Sequence, residues 1–167
     1  NIYRKQMSLI MGQKASLWCD LPAIDCYLLL KEIYQISDED FHERLEDFTK
    51  QLNLESILKV QIRRLSLGER MKVELVAALL HHPKVLYLDE PTIGLDLNAQ
   101  DTIRQFLLDY RKRYRPAMIL TSHYMEDIEQ LCKRIIVLKA GQIIYDGPIA
   151  DILDSCGSER IVRIKYK

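Results

Sequence analysis

Two adjacent carboxylates, Asp89 and Glu90, end the apolar run Val85-Leu86-Tyr87-Leu88, and Pro91 follows them at once. The run has β-propensity and the proline cannot donate to a ladder, so the acids are expected at the carboxyl end of a buried strand. That end of an open α/β sheet is where ligands bind. Paired acids there suit phosphoryl transfer: Asp89 can hold Mg2+, directly or through water, while Glu90 orients or deprotonates an attacking water. An acidic turn after a hydrophobic strand is also a common structural device. The pair therefore needs companions before it defines a site.

Three other stretches can supply them. Ser66-Leu67-Gly68 offers a hydroxyl, a glycine that allows close backbone approach, and the positive end of a helix dipole, which together make an anion site. Taken alone, Ser66 reads first as an ordinary N-cap. His123 follows a second apolar strand, on the sheet edge expected for Asp89, where an imidazole can hydrogen-bond a terminal phosphate. Gln13 ends the first strand and can reach a metal-bound or attacking water. His42, His81 and His82 lie on helices or helix ends without a matching motif and read as structural.

The elements that must position these residues follow from period and punctuation. Residues 6–13 read as a short buried strand opening at Gly12. Pro22 starts a helix through Tyr34, apolar on more than one face; Ser37-Asp38-Glu39-Asp40 starts another, to Gln51, with Phe41, Leu45, Phe48 and Leu52 as its stripe. Ser66 and Glu69 fit a capping box for a helix over 67–81, carrying Met71, Leu75, Ala78 and Leu79 inward. A strand over 84–89 follows. Asp96 caps a helix to Arg113 that buries Ile103, Phe106, Leu107 and Tyr110. Beyond it come strand 117–121, helix 125–132, a third strand over 135–138, a turn at Lys139-Ala140-Gly141-Gln142 into 143–145, and a last helix to Asp154. Strands alternating with helices predict an α/β fold with a mainly parallel sheet. Residues 161–166 alternate like a further strand.

Composition narrows the function classes. The chain has 167 residues, 48% hydrophobic and 29% charged, as an ordinary globular domain does. Lys plus Arg and Asp plus Glu both number 24, so no global field draws it to nucleic acid or an anionic membrane. Cys19, Cys26, Cys132 and Cys156 show no metal-like spacing and read as reduced thiols, packed by default, in a cytosolic protein. No apolar run approaches the roughly 20 residues that span a bilayer.

Taken in order, Gln13, LSLGER at 65–70, VLYLDEP at 85–91, GLD at 94–96 and His123 resemble the nucleotide-binding domain of ABC transporters: Q-loop, signature motif, Walker B with its glutamate, D-loop and H-loop. Residues 11–18 and the LSLGER form are most similar to the bacterial ATPase subunits of drug-export permeases, the daunorubicin-resistance type. The resemblance implies a fragment of a P-loop NTPase fold with a helical-subdomain insert. It divides the chain into 1–13, a strand leading to the Q-loop; 14–82, the helical subdomain ending in the signature motif and its helix; 83–156, the rest of the ATPase core; and 157–167, the start of a C-terminal extension.

The resemblance also implies roles. Asp89 and Gln13 would serve Mg2+, Glu90 the hydrolytic water and His123 the γ-phosphate. Ser66 and Gly68 would contact ATP held mainly by a second copy in a head-to-tail dimer, with Asp96 crossing the interface. A multi-span membrane permease subunit would dock on the Q-loop and helical insert, placing the protein in the cytoplasm, peripheral at the inner face of the membrane. The substrate would belong to the permease. Two readings compete with a transporter ATPase: a soluble ABC-type ATPase acting on ribosome or DNA, and a non-catalytic regulatory module.

Two departures stand out. Leu67 and Glu69 replace the Gly and Gln of the commonest signature, and Glu69 adds negative charge beside a phosphate site. No G-x-x-x-x-G-K-[ST] occurs, and only 12 residues precede Gln13. Without that loop the main phosphate cradle is missing. The expectation is that the Walker A part was removed, and that this chain alone binds ATP weakly and hydrolyses it negligibly.

Overall fold

The computed structural model describes residues 4–155, and the chain divides into two units, residues 1–124 and 125–167. In the first, β1 (Met7–Met11), β2 (Val85–Asp89) and β3 (Ala117–Thr121) form a parallel sheet in the order β1-β2-β3. Met11 pairs with Asp89 and Asp89 with Thr121, so all three strands end level. The residues that follow them, Gly12, Glu90 and Ser122, therefore share one edge.

The sheet alternates in burial. Ile10, Leu86 and Leu88 are buried, and on the same face the Ser8 hydroxyl donates to the Ala78 carbonyl at 2.6 Å, which sets α3 (Leu67–Leu79) against it. On the other face Met7, Leu9, Tyr87 and Ile119 are exposed, Leu9 by 53% and Ile119 by 55%. The expectation of fully buried strands is thus corrected. Successive side chains point to opposite faces, and among the described residues only one face is covered.

Between β1 and α3 stand α1 (Ala23–Tyr34) and α2 (Asp38–Leu52). Pro22 precedes α1 as its N-cap, a place where its missing N–H is harmless. The Ser37 hydroxyl caps α2 by accepting the Asp40 N–H, with Asp38, Glu39 and Asp40 at the positive end of its dipole. From α1 the buried Tyr27 donates its hydroxyl to the Val73 carbonyl at 3.0 Å.

Phe48 of α2 packs edge-on against Phe106 (5.5 Å, 85°) and Tyr110 (5.8 Å, 66°) of α4 (Leu97–Tyr114), the favourable geometry for aromatic quadrupoles. His82 joins this cluster against Tyr114 at 4.2 Å. Arg113 reaches from α4 to Asp47 and Glu43 of α2. The stripe Ile103, Phe106, Leu107 and Tyr110 is buried as its period predicts. Of the cysteines, Cys26 is buried, and desolvation pushes its thiol pKa up, whereas Cys19 is exposed, against the packed role expected of it.

The second unit holds α5 (Met125–Leu131), β4 (Arg134–Lys139), β5 (Gln142–Pro148) and α6 (Ile149–Ser155). Here β4 pairs antiparallel with β5 as a separate two-stranded sheet, so the 135–138 strand extends no parallel sheet among the described residues. Ala140 (φ 49°) and Gly141 (φ 77°) make the turn with the two positive φ values that suit a hairpin's twist. Arg134 grips Asp146 across the strands with two bonds of 2.7 Å. Cys156, the strand expected over 161–166 and the extension expected over 157–167 lie outside the described residues. Among those described, no helix is long and apolar enough to cross a membrane.

Candidate functional site

At the carboxyl edge of the sheet Glu90 takes a left-handed backbone, φ 52°. A non-glycine residue held there costs roughly 1–3 kcal/mol and persists only where its surroundings fix it. The Glu90 N–H donates to the Thr121 carbonyl at 3.0 Å and to the Thr121 hydroxyl at 3.2 Å. Its carbonyl accepts the Ile93 N–H at 3.2 Å. One carboxylate oxygen lies 3.2 Å from His123 Nε2, and the other accepts the His123 N–H at 3.2 Å. The histidine side chain is 81% exposed while that of Glu90 is 17% exposed. The acid is thus pinned, and the imidazole beside it faces outward.

Asp89 is set by the same neighbour: the Thr121 hydroxyl donates to its Oδ1 at 2.6 Å. From the first strand, the Gly12 N–H donates to the Asp89 carbonyl at 2.9 Å. A Cβ on Gly12 would stand 2.0 Å from the Glu90 carbonyl oxygen and 2.8 Å from Ile93 Cγ2, so only glycine fits between the two strand ends. Gln13, next along, is exposed at this edge.

A second group forms where two helices begin. The Ser66 hydroxyl accepts the Glu69 N–H and donates to Glu69 Oε2 at 2.8 Å, while Oε2 also accepts the Ser66 N–H at 2.9 Å. The Ser66 backbone and hydroxyl bonds hold the Glu69 carboxyl below its usual range. Asp96 Oδ1 caps α4 by accepting the Ala99 N–H at 2.9 Å. The two starts abut: a Cβ on Gly68 would lie 3.2 Å from Ala99 Cβ, and one on Gly94 (φ 72°) would lie 3.3 Å from Leu67.

The buried Gln100 braces the loop between the groups, donating to the carbonyls of Leu95 (3.1 Å) and Thr92 (3.4 Å). Arg104 in turn donates to Gln100 Oε1 at 3.0 Å.

The structure therefore gathers Asp89, Glu90, His123 and Gln13 at the sheet edge. Ser66, Gly68 and Asp96 lie at the helix starts, with residues 90–96 running between the two groups. His42, His81 and His82 stay apart: His81 stacks on Tyr34 at 3.9 Å and 8°, and His42 Nδ1 lies 2.6 Å from the Asp38 carbonyl.

Sequence reasoning missed Thr121, Gly12, Gln100 and the buried Glu74. For Gln100 and Arg104 a signal existed, since both fall on the stripe of Ile103 and Leu107 and so predict buried polar groups. Thr121 and Gly12 gave none, because their partners are distant in sequence.

No group of three or more His, Cys, Asp or Glu able to hold a metal occurs among the described residues. Mg2+ takes one or two carboxylates and completes its shell with water and phosphate oxygens. The oxygen donors of Asp89 and Gln13 fit that chemistry.

Comparison with known proteins places the chain in a family and its fold among known structures. The profile of the ABC transporter family matches residues 3–93, over half of the chain. The chain is 27% identical over 156 residues to the ABC transporter ATP-binding protein NatA of Bacillus subtilis, covering 93% of this chain and 63% of that protein. It is 28% identical to the linearmycin resistance ATP-binding protein LnrL of the same organism, covering 96% and 51%. The chain thus spans between half and two thirds of the length of these two relatives.

Among solved structures, an ATP-binding subunit of an ABC transporter superposes with a TM-score of 0.81 at 24% identity, covering 93% of this chain and 64% of that one. The ATP-binding cassette MJ0796, a dimer in a post-hydrolysis state with ADP and Pi, superposes with a TM-score of 0.75 at 24% identity, covering 89% and 65%. Both likenesses show the fold.

Proposed function

Because this chain belongs to the ABC transporter family, we propose that it forms the hydrolytic and signature part of an ATP-binding subunit that powers a membrane exporter through ATP-driven dimerisation. The observation that carries the reading is Glu90: a carboxylate at the end of a central strand, in a left-handed turn, gripped by His123 and adjacent to Asp89. A general base must be held within reach of one water while a second acid serves the cation. That division needs two neighbouring acids that point differently, and the Thr121 and His123 bonds hold each in its own direction.

On this reading Asp89 and Gln13 hold Mg2+, which offsets phosphate charge when bound. Glu90 takes the proton of the attacking water and His123 donates to the γ-phosphate. Ser66 and Gly68 meet ATP on a second copy in a head-to-tail dimer, and Asp96 crosses between copies. That MJ0796, of the same fold, is described as a dimer with ADP and Pi supports a second copy as the partner. For Ser66 to face a phosphate, its hydroxyl must turn from Glu69. The helical stretch within 14–82 would receive a multi-span permease, with the protein cytoplasmic and peripheral at the inner membrane face, and 83–156 would complete the core begun by 1–13. The resistance role in the name of LnrL supports export. The 167 residues hold no G-x-x-x-x-G-K-[ST], so turnover belongs to a protein that includes such a loop, and this chain alone is inactive.

The test is Mg2+-dependent ATP turnover by the full-length protein, beside its Glu90→Gln variant. Loss of a general base lowers turnover by ~10²–10⁴, with ATP binding retained. Unchanged turnover in the variant would overturn the role of Glu90, and failure to copurify with a permease would overturn the transporter role.

A further inference from the structure

The loop that follows Gln13 is fastened to the helix that begins at Ser66 by one buried acid. Glu74 lies on α3 two turns beyond Ser66 and is 7% exposed. Its Oε1 accepts the N–H of Ser16 at 2.9 Å and of Leu17 at 3.1 Å, and Leu17 is itself buried. A carboxylate in such surroundings is costly unless hydrogen-bonded, and burial pushes its pKa up against the two N–H bonds that lower it. An apolar residue would satisfy the packing here without that cost. The acid answers instead to the two loop N–H groups and to the Ser16 hydroxyl.

The same loop is tied again just ahead of the signature motif. The Arg63 N–H donates to the Cys19 carbonyl at 3.0 Å and the Ile62 N–H to the Leu21 carbonyl at 3.1 Å. The loop is therefore held on both sides of Ser66, by backbone bonds and the exposed Arg63–Asp20 ion pair before it and by a single side chain after it. Only the second tie can be removed by changing one side chain.

We infer that Glu74 is a positioning residue that fastens the Gln13 loop to the Ser66 helix, so that the two stretches move as one body. The inference rests on the function proposed above. In a head-to-tail dimer Gln13 faces one nucleotide and Ser66 the other, so a shift at Gln13 in one site is carried to the signature end serving the opposite site. Glu74 touches no nucleotide and acts only through the loop.

The experiment measures Mg2+-ATP turnover and amide exchange in the full-length protein. Glu74→Leu keeps the volume and removes the acceptor, so the Ser16 and Leu17 amides should exchange ~10-fold faster or more. kcat should fall ~10-fold with the KM for ATP within twofold, the pattern of a lost transition-state arrangement. Glu74→Gln keeps an acceptor oxygen and should stay within ~3-fold of the wild type in both measures. Ser16→Pro removes both the N–H and the hydroxyl of Ser16 from the loop side without touching α3 and should lower kcat by ~3-fold; it serves as well if Glu74→Leu does not fold.

In a Gln13→Ala background, Glu74→Leu should add no further loss. The same fold loss with and without Gln13, or an unchanged kcat once the two amides exchange freely, would overturn the proposal. A wild-type protein without ATP turnover would instead sink the proposed function, and the exchange rates would still report whether Glu74 fastens the loop.

Discussion

The carboxyl edge of the sheet and the starts of α3 and α4 both carry residues proposed to meet nucleotide, but they are held in opposite ways. At the sheet edge each functional group is fixed by something far away in the chain: Asp89 and Glu90 by Thr121, Glu90 by His123, and the backbone of both by Gly12. At the helix starts the polar groups are fixed by near neighbours, Ser66 by Glu69 and Asp96 by Ala99, each three residues on. The first arrangement stores backbone strain at Glu90 and depends on the sheet register. The second is relaxed, and leaves its side chains free to change partner at the cost of one cap. On the proposed function, the group whose chemistry demands fixed geometry would thus sit on tertiary contacts, and the surface that meets a second copy on local ones.

If that contrast is right, the largest effect belongs to Gly12. Gly12→Ala drives a Cβ into the Glu90 carbonyl, and such overpacking should lower stability by ~1–3 kcal/mol in a urea titration. Gly68→Ala, which meets only another Cβ at 3.2 Å, should cost less than half as much. Equal losses would erase the contrast.

Next comes acidification. Burial among the aromatic rings, helped by the Arg44 charge, lowers the His82 pKa from 6.5 to about 4. The folded state therefore binds fewer protons than the unfolded between those values, so stability is full above pH 6.5 and falls as pH drops toward 4. Between pH 7 and 5 the loss should be ~1–2 kcal/mol, allowing for partial exposure, and His82→Phe should flatten it in a pH series of melting curves.

Ser66→Ala should then cost ~1 kcal/mol through the lost cap, measured by thermal denaturation. Arg113→Ala, which removes the exposed bridges to Glu43 and Asp47, should cost ~0.2–1 kcal/mol and vanish at high salt.

The same contrast explains what was legible in the sequence. Capping boxes, helix stripes and the hairpin turn are written within a few residues, and Ser66-Glu69, Ser37, Asp96 and Phe41-Phe48-Leu52 form the elements their patterns predict. The acids and His123 were readable as site candidates because each ends an apolar run. What held them was not readable: Thr121 meets Asp89 only through the β2–β3 register, and Glu74 looks like one more polar residue on α3 until the Ser16 loop folds over it. Burial was misjudged for a related reason. An unbroken apolar run such as Val85–Leu88 does not say whether one face or two will be covered.

The exposed face carries its own consequence for handling the chain in solution. Met7, Leu9, Tyr87 and Ile119 lie together on it, and among the described residues β3 has a strand on one side only. An open edge beside an apolar patch favours self-association, and a net charge of zero at pH 7 provides no repulsion to oppose it. Light scattering of the isolated chain should therefore rise toward neutral pH and fall on moving to alkaline buffer, which makes solubility the first property to control in any of the measurements above.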